Sequence, residues 1–216
     1  MARPILWSFR RCPYAMRARL ALAVSGQRVE LREVVLRDKP DAFLATSPTA
    51  TVPCLDTGVE VIDESLDIML WALRRHDPGE WLDMPPEGHD LIAWNDGPFK
   101  TALDRYKYVT RHKDVDIGAE RSTAVEFLAR LDGLLGHGEW LFGKRPGLAD
   151  MAILPFVRQF AHVDLCWFHA QPLPHVARWL AAFKSSGRFA AIMRKYPPWT
   201  PGAPAVLFPD DELKQT

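Results

Sequence analysis

Short apolar segments and helical periodicities alternate along the first third of the chain. Strand-forming residues dominate segments 5–9, 29–36, 52–55 and 59–62, and the turn Thr57-Gly58 joins the last two as a hairpin. Met16 and Leu20 stand at helical spacing after the first segment, and Gly26 is a natural helix stop. The order βαβ, a helical turn over 41–45 and then ββα predicts a small four-stranded mixed sheet with helices on its faces.

From residue 89 onward the pattern changes to one helical period after another. The helices predicted from this spacing cover residues 89–111, 118–135, 148–163, 173–184 and 188–196. Residues 77–88 contain three prolines and predict a linker, and the proline-rich tail predicts an extended or disordered end. We therefore predict an α+β protein with a mixed-sheet domain (1–76), a linker (77–88), an all-helical domain (89–200) and an extended tail (201–216).

Composition narrows the classes of partner. Lys plus Arg and Asp plus Glu both number 27, so the chain has no long-range field to attract nucleic acid or an acidic membrane, although local basic clusters can still bind a small anion. Three cysteines do not make a disulfide framework and fit a reducing compartment. No apolar run has the length of a signal-peptide core or a membrane span, and the histidines lack metal-ligand spacing. These features predict a cytoplasmic protein without a metal.

Cys12 is the candidate nucleophile. Pro13 favours the first position of a helix, which puts Cys12 at the N-cap, where unpaired N–H groups and the helix dipole favour a thiolate. Arg10, Arg11 and Arg17 are expected to add to this effect. Ala15 occupies the second position of a redox C-x-x-C motif, so the site is monothiol and needs an external thiol such as glutathione. The alternative is a buried, inert cysteine.

Several motifs in register carry a resemblance to a known family. Cys12-Pro13-Tyr14-Ala15 after a first strand resembles the active site of glutaredoxins and cysteine-type glutathione transferases, and Lys39-Pro40 makes the spacing similar to the omega class. Val52-Pro53 matches the family's cis-proline position, Glu64-Ser65 its γ-glutamyl site, and Gly147–Asp150 the capping box of its sixth helix, although Gly147 replaces the usual Ser or Thr. The resemblance spans about residues 4–195 and implies a thioredoxin-like domain followed by a helical domain.

The resemblance also implies how glutathione is bound. Ser65 and the backbone N–H groups beside it hold the γ-glutamyl carboxylate, and Glu64 pairs with the amine. Val52, before Pro53, exchanges backbone hydrogen bonds with the cysteinyl part, as an added strand does. The further expected contacts are Lys39, to the glycyl carboxylate, and Tyr14, at the pocket wall. Each of these residues also has a purely structural alternative. These are an ordinary helix cap at residues 63–65, a trans peptide bond before Pro53, a solvated Lys39 and a surface position for Tyr14.

A pocket for the second substrate is expected between the two domains. Its candidate lining residues are aromatic, with core packing as the alternative for each: Trp94, Phe99, Tyr106, Tyr108 and Trp167. Cys54 puts a second sulfur near the site, although strand alternation points it toward the core. Trp7 and Ser8 lie near the place where other transferase classes carry a catalytic Tyr or Ser, but neither is in clear register.

The function that these features favour is glutathione-dependent thiol transfer. In this hypothesis the Cys12 thiolate attacks a mixed disulfide or an oxidised small molecule, and glutathione then releases it. The resemblance implies dehydroascorbate or glutathionyl mixed disulfides as substrates, and a homodimer. Two alternatives stay open: conjugation of glutathione to electrophiles, and a non-catalytic protein that binds apolar ligands or a partner.

Overall fold

The computed structural model describes residues 3–111 and 115–210. The chain forms two compact units: an N-terminal unit of Met1–Gly79 together with Ser185–Thr216, and a helical unit of Glu80–Lys184. The segment after residue 184, which the sequence prediction assigned to the helical domain and the tail, therefore groups with the N-terminal unit. Within the described ranges, each helix is too short or too polar to span a bilayer.

The N-terminal unit begins with the predicted order of elements. These are β1 (Ile5–Ser8), α1 (Pro13–Ser25), β2 (Val29–Glu33), α2 (Asp41–Thr46), β3 (Cys54–Asp56), β4 (Val61–Ile62) and α3 (Ser65–Leu73). Gly26 ends α1 with φ of 66°, a left-handed conformation that glycine adopts without a Cβ penalty. The strands β1 and β2 are parallel, whereas β3 runs antiparallel to β1 and β4 antiparallel to β3. This arrangement confirms the predicted thioredoxin-like sheet and places β1 at its centre.

The sheet has five strands instead of the predicted four, in the order β4-β3-β1-β2-β5. The fifth strand, β5 (Leu207–Phe208), comes from the tail and pairs antiparallel with β2. Trp199 also binds β2 through its N–H, which donates to Glu33 O at 2.9 Å, and its ring packs on Trp7 at 5.0 Å. We predicted an extended or disordered tail; as far as Asp210 it includes an extended strand that covers the edge of β2 and buries Phe208.

The helical unit contains six α-helices within the described residues. They are α4 (Glu87–Trp94), α5 (Lys100–Lys107), α6 (Ile117–Leu135), α7 (Leu148–Ala161), α8 (Leu165–His169) and α9 (Pro174–Ser185, whose last residue lies past the unit boundary); α10 (Gly187–Ile192) belongs to the N-terminal unit. The single helix predicted for 89–111 is interrupted by a π-helical turn, Asn95–Phe99, because Pro98 has no N–H to donate to the preceding turn. The short α8, which was not predicted, starts at Asp164, whose carboxylate accepts from Trp167 N at 3.0 Å.

Asp150 is a buried polar anchor of the helical unit. Its carboxylate accepts from the backbone N–H groups of Leu141 (3.0 Å) and Gly147 (2.9 Å) and from Trp179 Nε1 (3.0 Å). The contact to Gly147 is the half of a capping box that needs no side chain at the N-cap. Burial raises the pKa of this carboxyl to about 6, although its hydrogen-bond donors oppose the shift.

We expect Asp150→Asn to reduce the free energy of unfolding by about 1–3 kcal/mol, because an amide NH₂ would face a backbone or indole N–H. The native carboxyl binds a proton more readily than the unfolded one, so its contribution to stability is largest below about pH 4 and is lost as pH rises through about 6. The stability difference between wild type and variant should therefore widen from pH 7 to pH 5 in urea titrations. The exposed Asp90→Asn serves as control, and a difference that narrows at pH 5 would contradict this account.

Candidate active site

Cys12 lies at the junction of β1 and α1. Its backbone is extended (φ −76°, ψ 124°), its N–H donates to Phe9 O at 2.9 Å, and Pro13 opens the helix. Cys12 is therefore the N-cap residue, as predicted, and its half-buried side chain belongs to a helix N-terminus, where backbone N–H groups lack intrahelical partners. The first turn of α1 carries no acidic residue, so no side chain of that turn opposes the positive end of the helix.

The Cys12 sulfur faces the loop that precedes β3. The Sγ atom lies 3.6 Å from Val52 O, and the Val52–Pro53 peptide bond is cis, as the resemblance implied. Val52 precedes the paired residues of β3, which begin at Cys54. The backbone of Val52 thus lies next to the sulfur at a point where the strand ladder has not yet begun.

The N-terminus of α3 supplies a second set of unpaired N–H groups. Glu64 is its N-cap and Ser65 its first residue, but the Glu64 side chain makes no capping hydrogen bond. The expectation that side chains of residues 63–65 cap this helix is therefore not met by Glu64, which is exposed. The Ser65 side chain is buried, and its Oγ accepts a hydrogen bond from Arg17 Nη1 at 3.4 Å. A hydroxyl that accepts from a cation keeps its own proton to donate.

Arg17 connects α1 to this helix start. It is fully buried, and its guanidinium lies over the Tyr14 ring, 5.6 Å from the centroid, as well as donating to Ser65. Arg17 was expected to stabilise the Cys12 thiolate, and its position also supplies positive charge beside Ser65. Helical spacing alone gives no signal for this contact, because Ser65 is 48 residues away in the chain.

Lys39 lies in the loop between β2 and α2. A turn closed by Asp38 N to Val35 O at 2.9 Å precedes it, and Pro40 is the N-cap of α2. The lysine is half-buried and forms no ion pair with a described residue. The structure therefore places a cation in this loop but does not test its predicted ligand.

A buried ion pair connects α1 to the C-terminal ends of β1 and β2, next to the site. Arg19, fully buried on α1, pairs with Glu33, and its Nε donates to Ser8 Oγ at 2.8 Å. Burial lowers the pKa of Arg19, and the attraction of Glu33 offsets part of that shift. Ser8 is fully buried and already engaged with Arg19, and Trp7 is also buried, so neither is placed as a surface catalytic group.

Cys54 belongs to the core. It packs with a buried cluster of Trp7, Val34, Phe43 and Val52, against which Cys12 also packs. Burial is the main reason that the pKa of Cys54 rises to about 11, and a hydrogen bond with Ser47 opposes the shift only in part. At neutral pH Cys54 is therefore a protonated thiol, a poor nucleophile.

The five aromatic residues proposed for the second substrate occupy different environments. Phe99 is fully buried between Phe127 and Phe160, with ring centroids 4.9 and 5.6 Å away, which matches the core-packing alternative. Tyr106 is 6% exposed, and its hydroxyl accepts from Arg121 at 2.7 Å. Trp167 is half-buried, and the Arg121 guanidinium lies over its ring, 4.4 Å from the centroid. Tyr108 is half-buried with Lys107 over its ring, and Trp94 is 36% exposed.

Comparisons with known proteins identify the family. The family model described as "Glutathione S-transferase, N-terminal domain" matches residues 6–81, and "Glutathione S-transferase, C-terminal domain" matches residues 93–182. Since these matches cover well over half of the chain, it belongs to the glutathione S-transferase family. Among the described residues, His, Cys, Asp and Glu side chains form no group of three that a metal ion would need.

Individual relatives are similar at modest identity. A tobacco (Nicotiana tabacum) protein, "Probable glutathione S-transferase parA", is 29% identical over 75% of each chain. A rice (Oryza sativa subsp. japonica) protein, "Probable glutathione S-transferase DHAR1, cytosolic", is 26% identical over 67% of this chain and 64% of its own length.

Solved structures share the fold at lower identity. A Pseudomonas fluorescens glutathione transferase family member crystallised with two glutathione bound has a TM-score of 0.74 at 21% identity, covering 88% of this chain and 92% of its own. A theta class glutathione S-transferase from Xanthomonas axonopodis pv. citri with glutathione bound has a TM-score of 0.70 at 23% identity, covering 91% and 99%.

Alkylation of the native protein with iodoacetamide at pH 8 should separate the three cysteines. Exposed Cys166 and half-buried Cys12 should be modified, whereas Cys54 should stay unmodified until denaturant is added, because it is buried and protonated. Peptide mass spectrometry at successive times reads all three sites in one sample, so Cys166 is an internal control. Labelling of native Cys54 as fast as Cys166 would contradict its assignment to the core.

Proposed function

We propose that this chain is a cysteine-type, omega-like glutathione transferase that catalyses thiol transfer through the Cys12 thiolate. The observation that carries the proposal is the position of Cys12, a half-buried monothiol at the N-cap of α1 with its sulfur 3.6 Å from Val52 O. The helix N-terminus stabilises a thiolate, and Ala15 leaves no second cysteine in the motif to resolve a mixed disulfide.

Glutathione is the proposed external thiol, and the residues around Cys12 suit its polar ends. The N–H groups that open α3, with the Ser65 hydroxyl and Arg17 beside it, form an anion site for the γ-glutamyl carboxylate. Exposed Glu64 suits the amine, the Val52 backbone with cis Pro53 suits the cysteinyl unit, and Lys39 suits the glycyl carboxylate. Bound glutathione in the related Pseudomonas and Xanthomonas structures supports this choice of co-substrate.

The proposed reaction exchanges sulfurs in two balanced steps. The Cys12 thiolate attacks the glutathionyl sulfur of a mixed disulfide, the old sulfur–sulfur bond breaks, and its electron pair leaves with the second thiol as a thiolate. A second glutathione thiolate then attacks the glutathionyl sulfur on Cys12, which releases the Cys12 thiolate and glutathione disulfide. In sum, one free glutathione thiol is consumed and one substrate thiol is released, while the disulfide bond of the substrate is exchanged for that of glutathione disulfide.

Conjugation of glutathione to electrophiles is the second candidate. It requires a donor that stabilises the thiolate of glutathione itself, which in other transferase classes is a Ser or Tyr. Ser8 is fully buried and engaged by Arg19, which disfavours it for that task.

We further propose that the enzyme acts as a homodimer in the cytoplasm. Its proposed substrates are glutathionyl mixed disulfides or an oxidised small molecule such as dehydroascorbate. The similarity to the rice protein, whose name includes "cytosolic", supports the proposed location.

Ser65→Ala should weaken glutathione binding by about 1–2 kcal/mol, because the ligand carboxylate loses a hydroxyl donor. Titration calorimetry on wild type and variant measures the loss directly. The matched control is Ser122→Ala, which removes an exposed helix hydroxyl in the other unit. Equal dissociation constants for wild type and Ser65→Ala would contradict the proposed γ-glutamyl site.

Cys12→Ala should abolish thiol transfer while glutathione still binds, because the groups proposed for its polar ends do not include the thiol. Cys166→Ala removes an exposed cysteine and should retain turnover. The measurement pairs a disulfide-reduction assay with an electrophile-conjugation assay on each protein. Thiol transfer that survives in Cys12→Ala would contradict the cysteine mechanism. If the variant then also conjugates electrophiles at an undiminished rate, the second candidate function is favoured.

A further inference from the structure

A cavity within the N-terminal unit is lined by residues 9–11, the turn that directly precedes Cys12. Its volume is about 710 Å³, and it is formed by the loop after β1, the end of β2 with its following loop, and the tail after α10. Its apolar wall comprises Phe9, Val34, Val35, Leu36, Tyr196 and Pro198. This cavity is distinct from the loop before β3 and the start of α3, which carry Val52 and Ser65.

The charges around this cavity are mostly positive. Four cationic side chains line it, Arg10, Arg11, Arg37 and Lys195, against the single carboxylate of Glu33. Arg11, Arg37 and Lys195 are exposed, and none forms an ion pair with a described residue. In a chain whose formal net charge is zero, this surface is a local cationic excess.

The one carboxylate at the cavity is already engaged. Glu33 pairs with buried Arg19, and its Oε1 accepts from Arg10 N at 2.8 Å. The Arg10 guanidinium in turn donates to Met193 O at 3.1 Å, which fixes it at the end of α10. Glu33 is therefore already paired within the unit, and it forms no ion pair with Arg11, Arg37 or Lys195.

The sheet order places Cys12 between the two regions. β1 lies between β3 and β2, and Cys12 follows β1 directly. The proposed glutathione contacts Val52 and Ser65 come from the β3 side, whereas the cationic cavity lies on the β2 side. The turn 9–11 that lines the cavity ends at Cys12, whose N–H donates to Phe9 O. Of the proposed glutathione contacts, Lys39 shares the loop after β2 with this cavity but does not line it. A disulfide that reacts at Cys12 is thus flanked by Val52 and Ser65 on one side and by the cationic cavity on the other.

We propose that this cavity binds the non-glutathione half of the disulfide substrate, and that this half is an organic anion with an apolar body. The inference rests on the proposed thiol transfer and names its substrate class. In the first step the thiol that leaves with the electron pair of the broken disulfide departs from this cavity and takes up a proton from water. The apolar wall accommodates its carbon skeleton, while Arg37 and Lys195 attract its carboxylate.

Three mixed disulfides of glutathione test this assignment, made with 3-mercaptopropionate, 3-mercaptopropanol and 3-mercaptopropylamine. They differ in the charge of the leaving thiol and little in size. We expect kcat/KM to be about tenfold higher for the anionic than for the neutral disulfide and lowest for the cationic one. High salt should reduce these differences in kcat/KM, because it screens the charges.

The double variant Arg37→Gln with Lys195→Gln should lose most of this preference for the anion. Arg74→Gln with Arg188→Gln removes the same charge from exposed sites of the same unit outside this cavity and should keep it. Turnover of all three disulfides at equal rates would overturn the assignment of the cavity, and so would a preference for the anionic disulfide that survives in Arg37→Gln/Lys195→Gln. Neither result would contradict the proposed thiol transfer. Absence of Cys12-dependent turnover with every disulfide would overturn the proposed thiol transfer, and this assignment with it.

Discussion

A proline determines where the first helix begins, and the candidate site depends on that point. Pro13 provides no N–H and fits the first helical position, so the chain is extended at Cys12 and helical immediately after it. The parallel pairing of β1 with β2 requires a crossover, which α1 provides, and the start of that crossover is at the C-terminal end of the central strand. Cys12, the proposed nucleophile, therefore lies at a helix N-terminus at the end of the central strand, with its Sγ 3.6 Å from Val52 O.

Buried cations connect this junction to the rest of the N-terminal unit. Arg17 and Arg19 are both fully buried on α1, a helix that packs against α3 and α10. Arg19 joins Ser8 and Glu33 and donates to Ile192 O at 3.1 Å, so one side chain connects both parallel strands to the end of α10. Arg17 extends instead to Ser65. Because a buried charge is costly without partners, these contacts hold the two strand ends and the two helix starts in a single arrangement.

Local sequence signals predicted much of the N-terminal unit. The Cys12 N-cap follows from Pro13 alone, and the hairpin follows from the Thr57-Gly58 turn, because both are set by neighbouring residues. The strand β5 was missed because its two residues lie in a tail of prolines, and only pairing with β2, more than 170 residues away, reveals it. The π-turn at Asn95–Phe99 was missed because helical periodicity continued through Pro98.

The parts of the site that neighbouring residues determine could be predicted from the sequence. Cys12 and the start of α3 were found from capping signals, whereas the contact from Arg17 to Ser65 and the cationic cavity depend on tertiary packing. The aromatic residues could not be assigned from the sequence. Phe99 is fully buried whereas Trp94 is partly exposed, and residue type alone does not distinguish a ring that lines a pocket from one in the core.

A crystal structure of the protein soaked with glutathione disulfide would show whether Cys12 forms a mixed disulfide. We expect continuous density from Cys12 Sγ to a glutathionyl sulfur about 2.05 Å away. We also expect the γ-glutamyl carboxylate at the Ser65 hydroxyl and the first N–H groups of α3. A bound glutathione whose sulfur is directed away from a reduced Cys12 and toward a hydroxyl group would contradict the cysteine mechanism.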